Sequence, residues 1–559
     1  LQSLVALADN YKAQGRYSKA ELLFRRALEA SERVLGPDNP DTLARVSSLA
    51  SILRAQGHNS EAETLYKRAL AATERVLGNE HPDTIAIVNN LAGLYQTQGR
   101  YAEAEPLLRR ALNGYERVPG PNHSDTVSVA GNLAALYEAE GRYGEAVPLY
   151  KRTLEAREHL LGPDHPDTLT SVSKLADMYQ AEGRHGEAEP LYKRAADARE
   201  RVLGPEHPDT IASVNKLALL YTEQGRYADA EPLYKRALTG NEHTLGPDHP
   251  LTLDTANNLA ALYQATRRYD EAEQLYKRTL EAKERSPGAE DPQTLSIIDG
   301  LATLYSEQGR FGDAEPFQKR ALETRDRILG PDHPQTLQSV ANLATLQFKQ
   351  QDWPSAAALW RRSTAAIEAR TLRGLPDSEQ APAGKANNDA DQASSQFQAL
   401  LKTAYRLTPQ GGMPDADLSR EMFQTAQWAQ SSEAVQSLTR MAAPGAAGNP
   451  VLAALARERR DLAVEWQKRD SLRSAAFSQA PEKRDAETEA ANIARLSAID
   501  ARIKEIDNEL ATNFPDYAEL VSPAPIAVEE IQALLGDDEA LVLFVDTGEL
   551  GPVPEESFI

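Results

Sequence analysis

No cysteine occurs anywhere in the 559 residues, which excludes a disulfide framework, a thiolate metal site and a thiol nucleophile. Such a chain is compatible with reducing and oxidising compartments alike; the expected location is cytoplasmic. No run approaches the roughly 18 apolar residues of a membrane span, and the first residues lack a basic stretch followed by an apolar one. Positive charge is also short: 61 Lys plus Arg face 83 Asp plus Glu, a formal charge of −22. A surface of that sign repels phosphate backbones and anionic bilayers, so neither nucleic acid nor membrane is an expected partner. The chain opens at Leu1, already inside a helical pattern, which predicts a fragment. Its length exceeds one ordinary hydrophobic core and leaves several domains or one solenoid.

What the sequence does have is a repeat. Gly15, Gly57, Gly99, Gly141, Gly183, Gly225 and Gly309 lie 42 residues or its double apart, with Arg267 and Gln351 in the two remaining slots. Five residues after each comes an alanine: Ala20, Ala62, Ala104, Ala146, Ala188, Ala230, Ala272, Ala314 and Ala356. A small residue in every copy means that two backbones approach closely there. Apolar residues on both sides of the glycine follow helical spacing, with Leu91, Ala92 and Tyr95 before Gly99 and Ala104, Leu107, Leu108 and Ala111 after it. Each repeat therefore reads as helix, tight turn, helix. The glycine ends the first helix, and a connector such as Gly162, Pro163, Asp164, His165, Pro166, Asp167 and Thr168 stops the second and starts the next. One such pair cannot bury its own face, so neighbours must stack.

Leu7, Ala8, Tyr11, Ala20, Phe24 and Ala27, recurring as Leu91, Ala92, Tyr95, Ala104, Leu108 and Ala111, resemble the tetratricopeptide signature. The His-Pro-Asp-Thr connector and the Ala-Glu-Pro-Leu-Tyr-Lys-Arg second helix resemble the longer repeats of kinesin light chains and their bacterial relatives, over residues 1 to about 370. The resemblance implies a scaffold that holds a protein or peptide.

Six histidines, His81, His123, His165, His207, His249 and His333, recur in the connectors. Stacked helices about 8 to 10 Å apart cannot bring several of them to one ion at about 2 Å, so they read as helix-start residues and no metal is expected. Pro106, Pro148, Pro190, Pro232 and Pro316 fall early in second helices. Each removes a backbone donor, which predicts a gentle bend or a helix regular only from that turn onward.

At about 100° per residue, Asn90, Ala86, Gly93 and Thr97 fall on the side of the first helix away from Leu91 and Tyr95. In tetratricopeptide families this stripe lines a concave groove for an extended peptide. Its central position reads Ala6, Ser48, Asn90, Asn132, Lys174, Lys216, Asn258, Gly300 and Asn342. Asparagine offers donor and acceptor to a peptide backbone, and lysine suits a carboxylate. Asn90, Asn132, Lys174, Lys216, Asn258 and Asn342 are accordingly the candidate partner-binding residues; capping of neighbouring helices or simple solvation is the alternative. The position one turn earlier holds Ala86, Ser128, Thr170, Ala212 and Asp254 rather than lysine, which departs from the two-carboxylate clamp of the family.

From Leu372 to about Ser395 the pattern gives way to small and polar residues, a linker. Helical character returns over 397–407, 420–442, 452–476 and 483–510. Leu496, Ile499, Ile503, Ile506 and Leu510 form a coiled-coil seam, paired as a hairpin with Leu455, Leu462 and Trp466. Val528–Leu535 reads as a short helix, Ala540–Val545 as a strand and Phe558 with Ile559 as the start of a second. From residue 397 to 559 the pattern resembles the entry to CHAT domains, the caspase-like module that follows such arrays in many bacterial proteins. That family's His and Cys dyad has no counterpart here, because no histidine follows His333 and cysteine is absent.

The sequence thus predicts an all-α superhelical solenoid of about nine helix pairs (1–371), a linker (372–396), a helical region with a coiled-coil hairpin (397–513) and a truncated α/β stub (514–559). The predicted function is a binding scaffold with no catalytic residue and no cofactor. The alternative is the sensor or docking half of a caspase-like peptidase whose catalytic residues lie further on. A cargo adaptor like kinesin light chain is disfavoured by the C-terminal part.

Overall fold

The computed structural model describes residues 2–118, 120–285, 291–372, 383–408, 415–430, 449–477, 484, 486–515, 517, 528–535, 543, 545–547, 550 and 556–558. It divides into two compact units, residues 1–255 and 256–559, and each is taken by itself. Helices come in pairs, as the period requires. α1 (Gln2–Ala13) and α2 (Tyr17–Leu35) lead to α3 (Pro40–Ala55) and α4 (Asn59–Val76), α5 (Pro82–Thr97) and α6 (Tyr101–Arg117), and α7 (Ser124–Ala139) and α8 (Tyr143–Leu161). After them come α9 (Pro166–Ala181) and α10 (His185–Leu203), α11 (Pro208–Glu223) and α12 (Tyr227–Thr244), and then α13 (Pro250–Ala265) and α14 (Tyr269–Arg285). The last pairs are α15 (Pro292–Glu307) with α16 (Phe311–Leu329) and α17 (Pro334–Lys349) with α18 (Trp353–Leu372).

The local chemistry of each joint is visible. The turn glycines sit at positive φ, Gly99 at 70°, and the two slots without glycine, Arg267 and Gln351, adopt the same left-handed backbone at 59° and 64°, a conformation that costs a side chain about 1–2 kcal/mol. In the connectors the histidine ring caps the next helix: Nδ1 of His81, His123, His165, His207, His249 and His333 accepts the backbone N–H two residues on, at 3.2–3.3 Å. The hydroxyl of Thr84, Thr126, Thr168, Thr210 and Thr252 closes the loop by donating to the connector glycine carbonyl at 2.7–2.9 Å. All nine alanines that follow the turns have 0% exposure, so this is where the pairs close. The second helices run through Pro106, Pro148, Pro190, Pro232 and Pro316 from their first turn. The expected late start is therefore corrected: the donor that proline lacks belongs to the second turn, and the flanking bonds hold the helix.

A carboxylate clamp joins successive repeats. Glu63 Oε2 on α4 accepts from Arg100 Nη1 at 2.6 Å, Tyr95 donates its hydroxyl to Oε1 at 3.2 Å, and the Arg100 guanidinium lies 4.1 Å from the centre of the Tyr95 ring. The arrangement recurs as Glu105, Arg142 and Tyr137, as Glu189, Arg226 and Tyr221, and as Glu273, Arg310 and Tyr305. The hydrogen bond from Arg100 holds the Glu63 carboxyl down to about 2, from an ordinary 4.5. A carboxyl lowered on folding contributes stability above its unfolded value, and loses it as pH falls through the folded one. The melting temperature is expected to drop between pH 4.5 and about 2. Glu63→Gln should make that drop shallower in a calorimetric pH series, and an unchanged slope would remove the clamp from the account.

Beyond the array lie α19 (Ala383–Arg406), α20 (Ala416–Ala429), α21 (Pro450–Phe477), α22 (Ala486–Asn513) and α23 (Val528–Leu534). Of the stretch 372–396 read as a linker, residues 383–396 are helical. The run carries four alanines among its polar residues, and its continuation buries Ala399 and Leu400 against Ala341, Ala344, Phe348, Ala356 and Trp360. α20 starts at Ala416 rather than 420, and residues 431–442 of the expected helix lie outside the described ones. α21 and α22 form the expected hairpin, with Trp466, Leu496, Ile499 and Ile503 in one buried cluster and Leu452, Ile506 and Leu510 in the next. Glu458 and Arg459 near the start of α21 pair with Arg502 and Asp507, whereas Glu465 further along pairs with the earlier Arg495, so the two helices are antiparallel. The first strand, β1, is Val545–Thr547; of the expected strand 540–545, residues 540–542 and 544 lie outside the described ones. β1 pairs antiparallel with β2 (Glu556–Phe558), Val545 opposite Phe558. Among the described residues no helix is long and apolar enough to cross a membrane.

Candidate functional site

The stripe on the first helices runs from α5 to α11, and its residues are tied to side chains of the preceding first helix. Asn132 on α7 donates through Nδ2 to Asn89 Oδ1 on α5 at 3.3 Å, and its backbone carbonyl accepts from Gln96 Nε2 at 3.0 Å. Asn90 is half-buried, with its carbonyl 3.5 Å from Arg54 Nη1. Lys174 on α9 reaches back to Glu138 on α7 at 3.0 Å, and Lys216 on α11 to both oxygens of Asp177 on α9 at 2.7 Å. These carboxylates are held from behind by tyrosines of the second helices, Glu138 by Tyr150 and Asp177 by Tyr192, the latter at 2.6 Å. The phenols rise in pKa, through burial first and the adjacent carboxylate second, Tyr150 and Tyr192 both remaining donors.

The lysines therefore meet a carboxylate inside the chain. This changes the chemistry of the face: it offers two amides followed by two ion pairs instead of bare cations. In the second unit Asn258 is half-buried, and Asn342 Oδ1 accepts from Gln338 Nε2 at 2.9 Å. At the corresponding place on α15, Gly300 leaves room that the Tyr276 ring occupies, 2.7 Å from where a Cβ would stand. Asn342 lines a half-open cavity of about 250 Å³ with Gln338, Thr345, Trp360, Gln396 and Lys402.

A second column of polar groups escaped the sequence reading. Arg157, Arg199, Lys283 and Arg325 occupy one position of successive second helices, 42 residues apart or its double, where the first repeats carry Ser31, Thr73 and Tyr115. Arg199 is only 9% exposed, and its Nη1 donates to Ser173 Oγ at 3.0 Å and Ser213 Oγ at 2.6 Å while Nη2 faces Thr170 of the stripe. Burial lowers its pKa. Arg325 instead has a carboxylate, Asp299, at 2.5 Å, and Lys283 has Asp291 at 3.3 Å. The period itself was the signal that could have found this column.

Among the described residues no group of three His, Cys, Asp or Glu is placed to hold a metal. The face presents amide donors and acceptors at Asn90 and Asn132 and ion pairs at Lys174 and Lys216, groups that can hydrogen-bond a peptide backbone.

A profile of the tetratricopeptide repeat matches eight overlapping segments: 1–75, 44–117, 83–159, 125–199, 167–243, 211–285, 251–326 and 293–369. The curated proteins contain no match. Among solved structures the chain is similar to kinesin light chain nearly identical TPR-like repeats from Podosopora anserina, at 29% identity over 37% of this chain and 98% of that one, with a TM-score of 0.35. It is also similar to BtubC (BKLC) from P. vanneervenii, at 24% identity over 42% and 92% with a TM-score of 0.35. A further similarity is to the quorum sensor NprR from B. thuringiensis, at 12% identity over 66% and 98% with a TM-score of 0.47.

Proposed function

This chain belongs to the tetratricopeptide repeat family, its residues 1–369 matching that repeat throughout, and on that footing we propose that the array is a scaffold which holds an extended peptide segment of a partner protein along its first-helix face. The observation that carries this reading is the set of cross-helix links on that face, Asn132 to Asn89, Lys174 to Glu138 and Lys216 to Asp177, with Asn90 beside them. Polar side chains tied across neighbouring helices are pre-organised, so a peptide backbone meets donors and acceptors already fixed in place. Asn258 and Asn342 extend the same chemistry in the second unit.

The test is selection from a displayed library of unstructured peptides against the full chain. Replacing Asn90, Asn132 or Asn258 by alanine should each weaken the selected peptides by about 0.5–1.5 kcal/mol, roughly 2- to 12-fold in Kd. The melting temperature should hardly move for Asn132→Ala, since exposed substitutions usually stay within about 0.5 kcal/mol, and should move by little more for the half-buried Asn90 and Asn258. If the triple variant binds the selected peptides as tightly as the parent, the face is structural. The caspase-like alternative is supported only by the sequence pattern of residues 397–559, and it adds no residue to this face.

A further inference from the structure

The six connector histidines share one backbone setting, and one of them is treated differently. His81, His123, His165 and His207 cap their helices with half-exposed rings. His333 caps α17 in the same way but is only 3% exposed. The apolar residue before the connector changes in step: Leu35 and Leu161 are 41% and 44% exposed, whereas Leu329, at the same place in its repeat, is 0% exposed. The cover is the hairpin, because beyond its neighbours in the stack α16 packs on α21. Arg473 of α21 lies against Gly330, and His333 Nε2 is 2.8 Å from Ser474 Oγ.

The cap decides which ring nitrogen carries the proton. Nδ1 accepts the Gln335 backbone N–H at 3.2 Å, so the hydrogen of the neutral ring sits on Nε2 and is donated to Ser474 Oγ, which in turn donates to the Asp470 carbonyl at 3.1 Å. A second proton would have to enter at Nδ1. There it would face the Gln335 N–H, break the cap and place a cation where water is excluded. The charged groups around the ring are Asp470 and Arg473 on α21, already paired with each other, Arg370 on α18, and Arg325 on α16, already paired with Asp299. Of these, the carboxylate of Asp470 is already committed to Arg473, while Arg473, Arg370 and Arg325 oppose an imidazolium.

We propose that the seat of the α21–α22 hairpin on the α16–α17 connector is a proton-released latch, closed by neutral His333 and opened by its protonation, with the array and the hairpin each staying folded. Burial pushes the ring down from 6.5 to about 4, Asp470 opposing and Arg473, Arg370 and Arg325 reinforcing. The seated form thus binds the proton more weakly than the released form. Seating is complete above pH 6.5, weakens as pH falls from 6.5 towards about 4, and changes no further below it. Across that window the shift amounts to about a 30-fold weakening by about pH 5.

Because the protein has no cysteine, a single introduced thiol reports the opening. Leu329→Cys places it beneath the hairpin, and Leu161→Cys places it at the equivalent uncovered position as a reference for intrinsic reactivity. The ratio of their labelling rates, Leu329→Cys over Leu161→Cys, should rise about 30-fold from about pH 7.5 to about pH 5. In a His333→Asn background it should stay flat, since asparagine caps without titrating, as Asn39 does for α3 with Oδ1 3.0 Å from the Asp41 N–H. A ratio unchanged by pH, or a rise equally large with His333→Asn, would overturn the latch. Should Leu329→Cys not fold, hydrogen exchange at the Gln335 amide, corrected for intrinsic rate, reads the same opening. Exchange that quickens towards pH 5 only with His333 in place supports the latch, and exchange that ignores pH or quickens equally with His333→Asn overturns it. A peptide that fails to bind the first-helix face leaves these outcomes untouched.

Discussion

Trp466→Ala is expected to remove about 3–5 kcal/mol from the hairpin, the usual cost of emptying the site of a buried tryptophan. The ring is 3% exposed and packs on Leu496, Ile499 and Ile503 of the opposite helix, with Leu462 beside it. Beside the second apolar cluster of Leu452, Ile506 and Leu510, the cross-helix links include the partly exposed ion pairs Arg459–Asp507, Glu458–Arg502 and Glu465–Arg495, each worth at most about 1 kcal/mol. They cannot compensate. Residues 450–513 should therefore lose hydrogen-exchange protection well before the repeats do. Uniform loss of protection across the array as well would mean that hairpin and repeats unfold as one cooperative body.

The second large effect is expected from Ala104→Leu. Ala104 is 0% exposed at the point where α6 meets its neighbours. Three added carbons there must displace a helix rather than a side chain, and overpacking of this kind costs about 1–3 kcal/mol. In a stack whose repeats touch only their neighbours the damage is local first, and then divides the cooperative unit. Thermal unfolding should broaden or split as its midpoint falls. By contrast, Asn132→Ala on the exposed face should shift neither midpoint nor width. If the two variants melt alike, the closeness of the backbones at Ala104 is not what holds the pair together.

Most of the array could be read from the chain because its determinants are local and repeated in one frame. The turn glycines, the buried alanines and the capping histidines each act within a few residues of where they stand. What could not be read involves partners set by how far one helix slides along the next. Lys174 meets Glu138 across 36 residues, and Lys216 meets Asp177 across 39. That offset comes from packing, so the lysines looked available when they were not. His333 shows the same limit more sharply. Its connector matches the others, and only a serine 141 residues later makes it different. The helix over 383–396 was missed because its apolar partners begin at Phe397, beyond the stretch that lacked them.

The nine alanine contacts have a consequence at the level of the gene. Every repeat closes on the same buried small residue at the same distance from its turn, so any second helix can follow any first helix without a change of register. Unequal recombination between two copies of the 42-codon unit would keep the reading frame and rejoin compatible surfaces. The stack can lengthen or shorten by whole units with its buried alanine contacts preserved. The His333 repeat is the exception, since a duplicate of it would carry a buried-type capping histidine with no hairpin to cover it.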